Sequence, residues 1–235
     1  MLLGLDTSTK LAGIALYHGE RGLIAEYNWH SANRHTVELM PQVAHMMAQA
    51  GVAPRDLTAV AVALGPGSFT GLRVALAAAK GLALANGLKL LGVPTLDAVA
   101  YPHQSEPVPV VAIIQAGRGR VCWAPYAHGP AGWAAQADTR LSTIEEMANT
   151  IVRPMIFVGE LLPADQETLI QWLGKGRAHF LSSALTMRRA GYVAELAWKR
   201  YAAGQADDPA TLSPIYLHEP PRPSPRGVSR CRSPG

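Results

Sequence analysis

The stretch Ala61 to Ala85, AVALGPGSFTGLRVALAAAKGLALA, decides the fold. An apolar β-run (Ala59–Leu64) enters a glycine-rich loop and leaves it as a long alanine-rich helix. Gly65, Pro66, Gly67 and Gly71 permit a tight turn and a close approach of backbone to backbone. Ser68 or Thr70 can cap the helix by accepting from its free N–H groups. Val74, Ala78, Gly81 and Ala85 then recur at spacings of four, three and four, which places them on one helical face. Because these residues are small, the face is flat, and a second helix can pack closely against it.

A strand, a glycine loop and a helix N-terminus in that order also invite a phosphate site. The loop lacks the Gly-Lys-Ser/Thr ending of a P-loop, and its glycines are not spaced as in a dinucleotide fingerprint. A tight connection that seats a helix on a sheet is the preferred reading.

Upstream, Leu2–Leu5, Ala12–Tyr17 and Leu23–Trp29 are apolar β-runs joined by short turns, an antiparallel meander. A helix from about Thr36 to Ala50 follows, with Pro41 near its start and Gly51 at its end. After the central stretch come a strand at Lys89–Val93 and a short helix capped by Thr95. The first hundred residues thus run β-β-β-α-β-α-β-α. Downstream of Pro102, strands are expected at Val108–Ile114, Val121–Ala127, Met155–Val158 and His179–Leu181. Helices are expected after a Ser142/Glu145 capping box, at Asp165–Leu173 and at Thr186–Ala203, with a last edge segment at Ile215–Leu217. The second half echoes the first, so the expected class is α/β with two related β-β-β-α-β-α subdomains. The boundaries are 1–101, a second unit 102–218 whose helix 186–203 can fold back on the first, and a tail 219–235.

That tail is rich in Pro, Arg, Ser and Gly and cannot bury enough to order itself. Its four arginines against Glu219 supply +3 of the formal net charge of +4, so the body is near neutral. Two cysteines, Cys122 and Cys231, make no disulfide framework. With no secretory leader pattern and no long apolar run, a cytoplasmic setting without membrane attachment is expected.

Candidate chemistry is sparse. Asp6, Thr7, Ser8 and Thr9 follow the first strand, where a metal-bound water or a phosphate could be held. A second carboxylate is needed, and Asp97, Asp138, Asp165 and Glu160 lie in no comparable strand-end motif, so a self-satisfied polar turn is preferred. His35 and Glu38 share a helical face, but no His-x-x-x-His or Cys-x-x-Cys pair supports a metal. Ser68 lacks the elbow of a nucleophilic serine. Arg188-Arg189 and Lys199-Arg200 are expected on solvated faces. Met40, Met46 and Met47 suit a core or an adaptable partner surface.

Three segments carry a resemblance: Leu5-Asp6-Thr7-Ser8-Thr9, His35-Thr36-Val37-Glu38-Leu39-Met40-Pro41, and Gly65-Pro66-Gly67-Ser68-Phe69-Thr70-Gly71-Leu72-Arg73. In order and spacing they resemble the TsaB (YeaZ) family of bacterial tRNA threonylcarbamoyladenosine biosynthesis. The likeness is tight over the first hundred residues, loose to Leu217 and absent in the tail. It implies an actin/Hsp70-like (ASKHA) fold with a reduced second lobe. It also implies a non-catalytic subunit that binds and activates a TsaD-type threonylcarbamoyl transferase acting on ANN-decoding tRNAs, with a TsaE-type ATPase joining the complex.

Carried onto this chain, the resemblance places the partner interface on the helices His35–Ala50 and Thr70–Ala85. The residues are His35, Glu38, Leu39, Val43, Met46, Met47, Arg73, Val74, Ala77, Ala78, Gly81, Leu82 and Ala85. Asp6, Thr7, Ser8, Thr9, Gly67 and Ser68 would form a vestigial nucleotide site. No metal and no cofactor of its own is implied; ATP, ADP and Mg²⁺ belong to the partner subunits. Contact with tRNA would be weak or indirect, and an orphaned apolar face favours a homodimer when the chain is alone. The segment Ile114-Gln115-Ala116-Gly117-Arg118 departs from the family's Asp-Ala-Arg-like pattern. The rival reading is an ATP-dependent phosphotransferase or ATPase that uses Asp6 and the Gly65–Gly71 loop.

Overall fold

The computed structural model describes residues 1–217 apart from Asn33 and Ala131. The tail expected at 219–235 lies outside the described residues. The first sheet is built from β1 (Leu2–Asp6), β2 (Leu11–His18), β3 (Gly22–His30), β4 (Ala59–Gly65) and β5 (Lys89–Pro94). Its order is β3-β2-β1-β4-β5, with the meander antiparallel and β4 and β5 parallel to β1. Helix α1 (His35–Gln49) crosses from β3 to β4, α2 (Phe69–Asn86) from β4 to β5, and α3 (Thr95–Ala100) follows β5.

The second sheet contains β6 (Val110–Gly117), β7 (Arg120–Gly129), β8 (Gly132–Ala135), β9 (Arg140–Ser142), β10 (Met155–Gly159) and β11 (Ala178–Phe180). Its order β8-β7-β6-β10-β11 repeats that of the first sheet, with β9 paired to β7. Helices α4 (Ile144–Ala148) and α5 (Pro163–Leu173) are its crossovers. Then come α6 (Ser183–Thr186) and α7 (Ala190–Ala202).

Strand alternation distributes the cores. Leu3, Leu5, Val60 and Val62 point to one side of the first sheet and pack with Leu39, Val43, Met46, Ala75 and Ala79 of α1 and α2. Leu2, Ala59, Ala61 and Ala63 point to the other side and pack with Val193, Ala194 and Ala197 of α7. That second side is small, and a Cβ on Gly4 would stand 3.0 Å from the Ala194 Cβ, so α7 sits close to the sheet. Conversely, Leu96, Val99 and Ala100 of α3 pack on Val110, Ala112, Ile114 and Val158 of the second sheet. Each sheet therefore takes a helix from the other half of the chain.

Three local expectations are corrected. The capping box falls one residue later than expected: the Glu146 N–H donates to Thr143 Oγ1 at 3.2 Å and its carboxylate accepts from the Thr143 N–H at 2.9 Å. Ser142 instead ends β9 and accepts from Trp123 Nε1 at 2.9 Å. The helix expected over Thr186–Ala203 is broken, because Met187–Arg189 lie outside it with Arg189 extended. The break lets Arg188 and Arg189 reach inward to acidic partners on the first lobe. Ile215–Leu217 form no strand, although the Ile215 N–H donates to the Leu64 carbonyl at 2.8 Å.

Candidate functional site

Between the lobes lies a cleft of about 950 Å³. One wall is the turn after β1, braced against the start of α2. Thr7 Oγ1 donates to the Gly71 carbonyl at 2.6 Å, and the Ser68 N–H donates to the Ser8 carbonyl. A Cβ on Gly67 would stand 2.3 Å from Ser8 O, and one on Gly71 would stand 2.0 Å from Thr7 O. Glycine is required at both positions because the two backbones touch. Of the two cap candidates, Ser68 is the N-cap and accepts from the Gly71 N–H at 3.3 Å.

Asp6, Thr7, Ser8 and Thr9 are all buried at this turn. Asp6 Oδ1 accepts from the Ser8 N–H at 2.9 Å and from Ser8 Oγ at 2.6 Å. Asp6 Oδ2 lies 3.1 Å from Arg188 Nε, an ion pair with both side chains 2% exposed. The Arg188 fork continues outward, with Nη1 donating to Ser8 Oγ at 2.6 Å and Nη2 to Thr9 Oγ1 at 2.9 Å and to the Leu11 carbonyl. The expectation of a solvated Arg188 is overturned. A buried carboxylate needs a countercharge, and Arg188 delivers one with fixed geometry. Arg189 pairs with Glu26, and Arg200 pairs with Asp207 at 2.9 Å, so neither is a free phosphate contact.

Glu160 also corrects the sequence expectation. It follows Gly159, the end of β10, as Asp6 ends β1, and it accepts from Thr9 Oγ1 across the cleft. Gln115 supports it: its amide donates to the Glu160 carbonyl at 3.0 Å and to Asp165 Oδ2 at 2.7 Å, and its backbone N–H donates to Glu160 Oε2 at 3.2 Å. The signals for both missed residues were present in the chain. Arg188-Arg189 interrupts an apolar helical pattern, and Glu160 directly follows a buried strand.

A metal-bound nucleotide does not fit this turn as it stands. Both oxygens of Asp6 are engaged, Oδ1 by Ser8 and Oδ2 by the guanidinium of Arg188, so the carboxylate already has its countercharge. His35 also lines the cleft, 6% exposed, with Nδ1 unpartnered among the described residues. Burial pushes its pKa down, against smaller upward effects from Glu38 and Asp6.

The outward face of α1 and α2 forms the second candidate. A groove of about 460 Å³ runs between the helices, lined by Thr36, Met40, Phe69, Arg73, Val74 and Ala78, with Leu39 also in its wall. Among the residues expected at the interface, Arg73, Ala77, Gly81 and Ala85 are exposed, and Val74, Ala78 and Leu82 are partly buried. Val43, Met46 and Met47 are corrected: they point into the first core, as does Leu39, and His35 faces the cleft. The physical reason is helical phase, since residues that meet the sheet cannot also face outward. Val37 and Met40 are the large apolar side chains that α1 exposes, at 61% and 41%. Glu38 accepts from Trp29 Nε1 at 3.0 Å beside Arg34, which ties α1 to β3.

Two sheets of identical strand order, with helices exchanged across a cleft, define a two-lobed protein of the actin/Hsp70-like (ASKHA) class. The model of the TsaD family, described as tRNA N6-adenosine threonylcarbamoyltransferase, matches residues 29–217. The Bacillus subtilis protein called tRNA threonylcarbamoyladenosine biosynthesis protein TsaB is 33% identical over 162 residues, 67% of this chain and 70% of that protein. The Escherichia coli protein of the same description is 34% identical over 127 residues, 53% of this chain and 54% of that protein, so the matched segment spans about half its length. The solved structure of YeaZ from Pseudomonas aeruginosa superposes with a TM-score of 0.75 at 26% identity, covering 92% of this chain and 99% of that one. The chain belongs to this family, in its TsaB (YeaZ) branch.

Proposed function

We propose that this chain is the non-catalytic subunit that binds and activates a TsaD-type threonylcarbamoyl transferase in tRNA N6-threonylcarbamoyladenosine formation. The observation that carries this proposal is the outward face of α1 and α2. It combines small residues on α2 with exposed Val37, Met40 and Phe69, and no element of the described chain fills the groove between the helices. A largely apolar groove of this kind marks a docking surface, and small residues let two helices of a partner approach closely. Without the partner, a second copy of the chain takes the same face. ATP and Mg²⁺ are handled by the partner subunits, among them a TsaE-type ATPase, and tRNA contact by this chain is weak or indirect.

The buried Asp6–Arg188 pair supports the non-catalytic half of the proposal, because it occupies the groups that a phosphotransferase would need. The deciding experiment is co-purification with the TsaD paralogue of the same genome, using wild type, Ala78→Trp and Gly81→Leu. A complex that these substitutions break supports the subunit role. No complex, together with Mg²⁺-dependent ATP turnover by this chain alone, would establish the rival enzyme.

A further inference from the structure

The chain returns to the first lobe after α7. Leu212 packs against the first core, Ile215 bonds to the end of β4, and Tyr216 comes to rest on the start of α2. The rings of Tyr216 and Phe69 are 5.1 Å apart. The Arg73 guanidinium lies 3.8 Å over the Phe69 ring, and its Nε donates to the Tyr216 hydroxyl at 3.0 Å. Arg73 is exposed and, among the described residues, forms no ion pair; its two terminal amino groups have no described acceptor. It therefore lines the α1/α2 groove as a cation with no counterion of its own among the described residues.

A free arginine loses much rotamer entropy when it binds, and a planar fork that is already held loses less. Stacking on Phe69 and the bond to Tyr216 hold this one. Its unused edge is the one that receives a carboxylate through two parallel bonds. We propose that Arg73 is the carboxylate anchor of the partner face, receiving an Asp or Glu side chain of the TsaD-type subunit. Tyr216 is its positioning residue. The inference rests on the proposed function, and it adds the return segment to a surface otherwise made of two helices. Charge complementarity selects the occupant: the groove is mostly apolar and Arg73 is the cation in its lining, so the partner brings an apolar helix with an acidic residue at the matching position.

The test measures affinity of the full chain for the TsaD paralogue at low and moderate salt, with unfolding midpoints recorded for every variant. Arg73→Ala is expected to weaken binding by about tenfold or more and to flatten its salt dependence. Arg73→Lys is expected not to restore affinity, because a point charge replaces the fork. Tyr216→Phe keeps the ring and removes the hydroxyl, and a loss of a few-fold at an unchanged unfolding midpoint is expected. The proposal is overturned if wild type binds and Arg73→Ala stays within about twofold of it. It is equally overturned if Arg73→Ala weakens binding of tRNA but not of the protein. Failure of wild type to bind overturns the subunit role itself, a separate and distinguishable result.

Discussion

Arg188 Nε and Asp6 Oδ2 are 3.1 Å apart, both side chains almost fully buried, on residues 182 positions apart in the chain. The pair joins the segment before α7 to the turn after β1, and Thr9 extends the connection to Glu160 on the second lobe. Removing one partner leaves a buried charge without compensation. Arg188→Met is expected to destabilise the fold by about 3–5 kcal/mol. Asp6→Asn in the same chain should recover part of that loss. Chemical denaturation of the two single variants and the double variant checks this, and additive losses would show that the pair is not coupled.

The contact between the turn and α2 allows no side chain at its centre. A Cβ at Gly71 would meet a backbone carbonyl oxygen, which cannot swing aside as a side-chain tip could. Gly71→Ala is expected to cost about 1–3 kcal/mol although alanine is the better helix former. An unfolding midpoint equal to wild type would contradict the contact.

Gly81 behaves in the opposite way. It sits in the interior of α2 with nothing within 4 Å of an added Cβ. Gly81→Ala should stabilise the isolated chain by about 0.5–1 kcal/mol through helix propensity. Gly81→Leu should leave the isolated chain folded yet disrupt the complex. Stability and partner affinity therefore separate at a single position, which circular dichroism and binding assays can follow on the same samples.

Acid should weaken the fold through two buried imidazoles. Burial lowers the pKa of His35 and of His103, in each case against a smaller upward effect of a nearby glutamate. The unfolded chain, with histidines near 6.5, takes up these protons before the folded one does. Their contribution is complete above pH of about 6.5 and is lost as pH falls below it towards the lowered folded values. His35→Gln and His103→Gln should each flatten the stability profile over that window, measured by urea unfolding at stepped pH. A slope unchanged in both variants would remove histidine as its source.

The exchange of helices between the sheets makes the sequence boundary at residue 101 physically incomplete. A fragment 1–101 lacks α7 and exposes Leu2, Ala59, Ala61 and Ala63, all fully buried in the intact chain or nearly so. Alone it is expected to show no cooperative unfolding transition. Co-expression with 102–235 should restore one, as calorimetry would show.

The sequence alone determined what depends on local order. The meander, the glycine loop and the small face of α2 are set by alternation, turn chemistry and helical spacing, which act within a dozen residues. The echo of the first half's succession of strands and helices in the second was legible for the same reason, since each half carries its own punctuation, whereas the shared strand order of the two sheets was not. Only the tertiary structure decided how distant residues combine. Nothing near Asp6 in the sequence points to Arg188, and nothing near Arg73 points to Tyr216, because both contacts come from segments that return after α6 or α7. The inward turn of Val43, Met46 and Met47 was likewise settled by the sheet beneath α1. An apolar stripe on a helix is the same pattern whether it meets a core or a partner, and only the position of the sheet distinguishes the two.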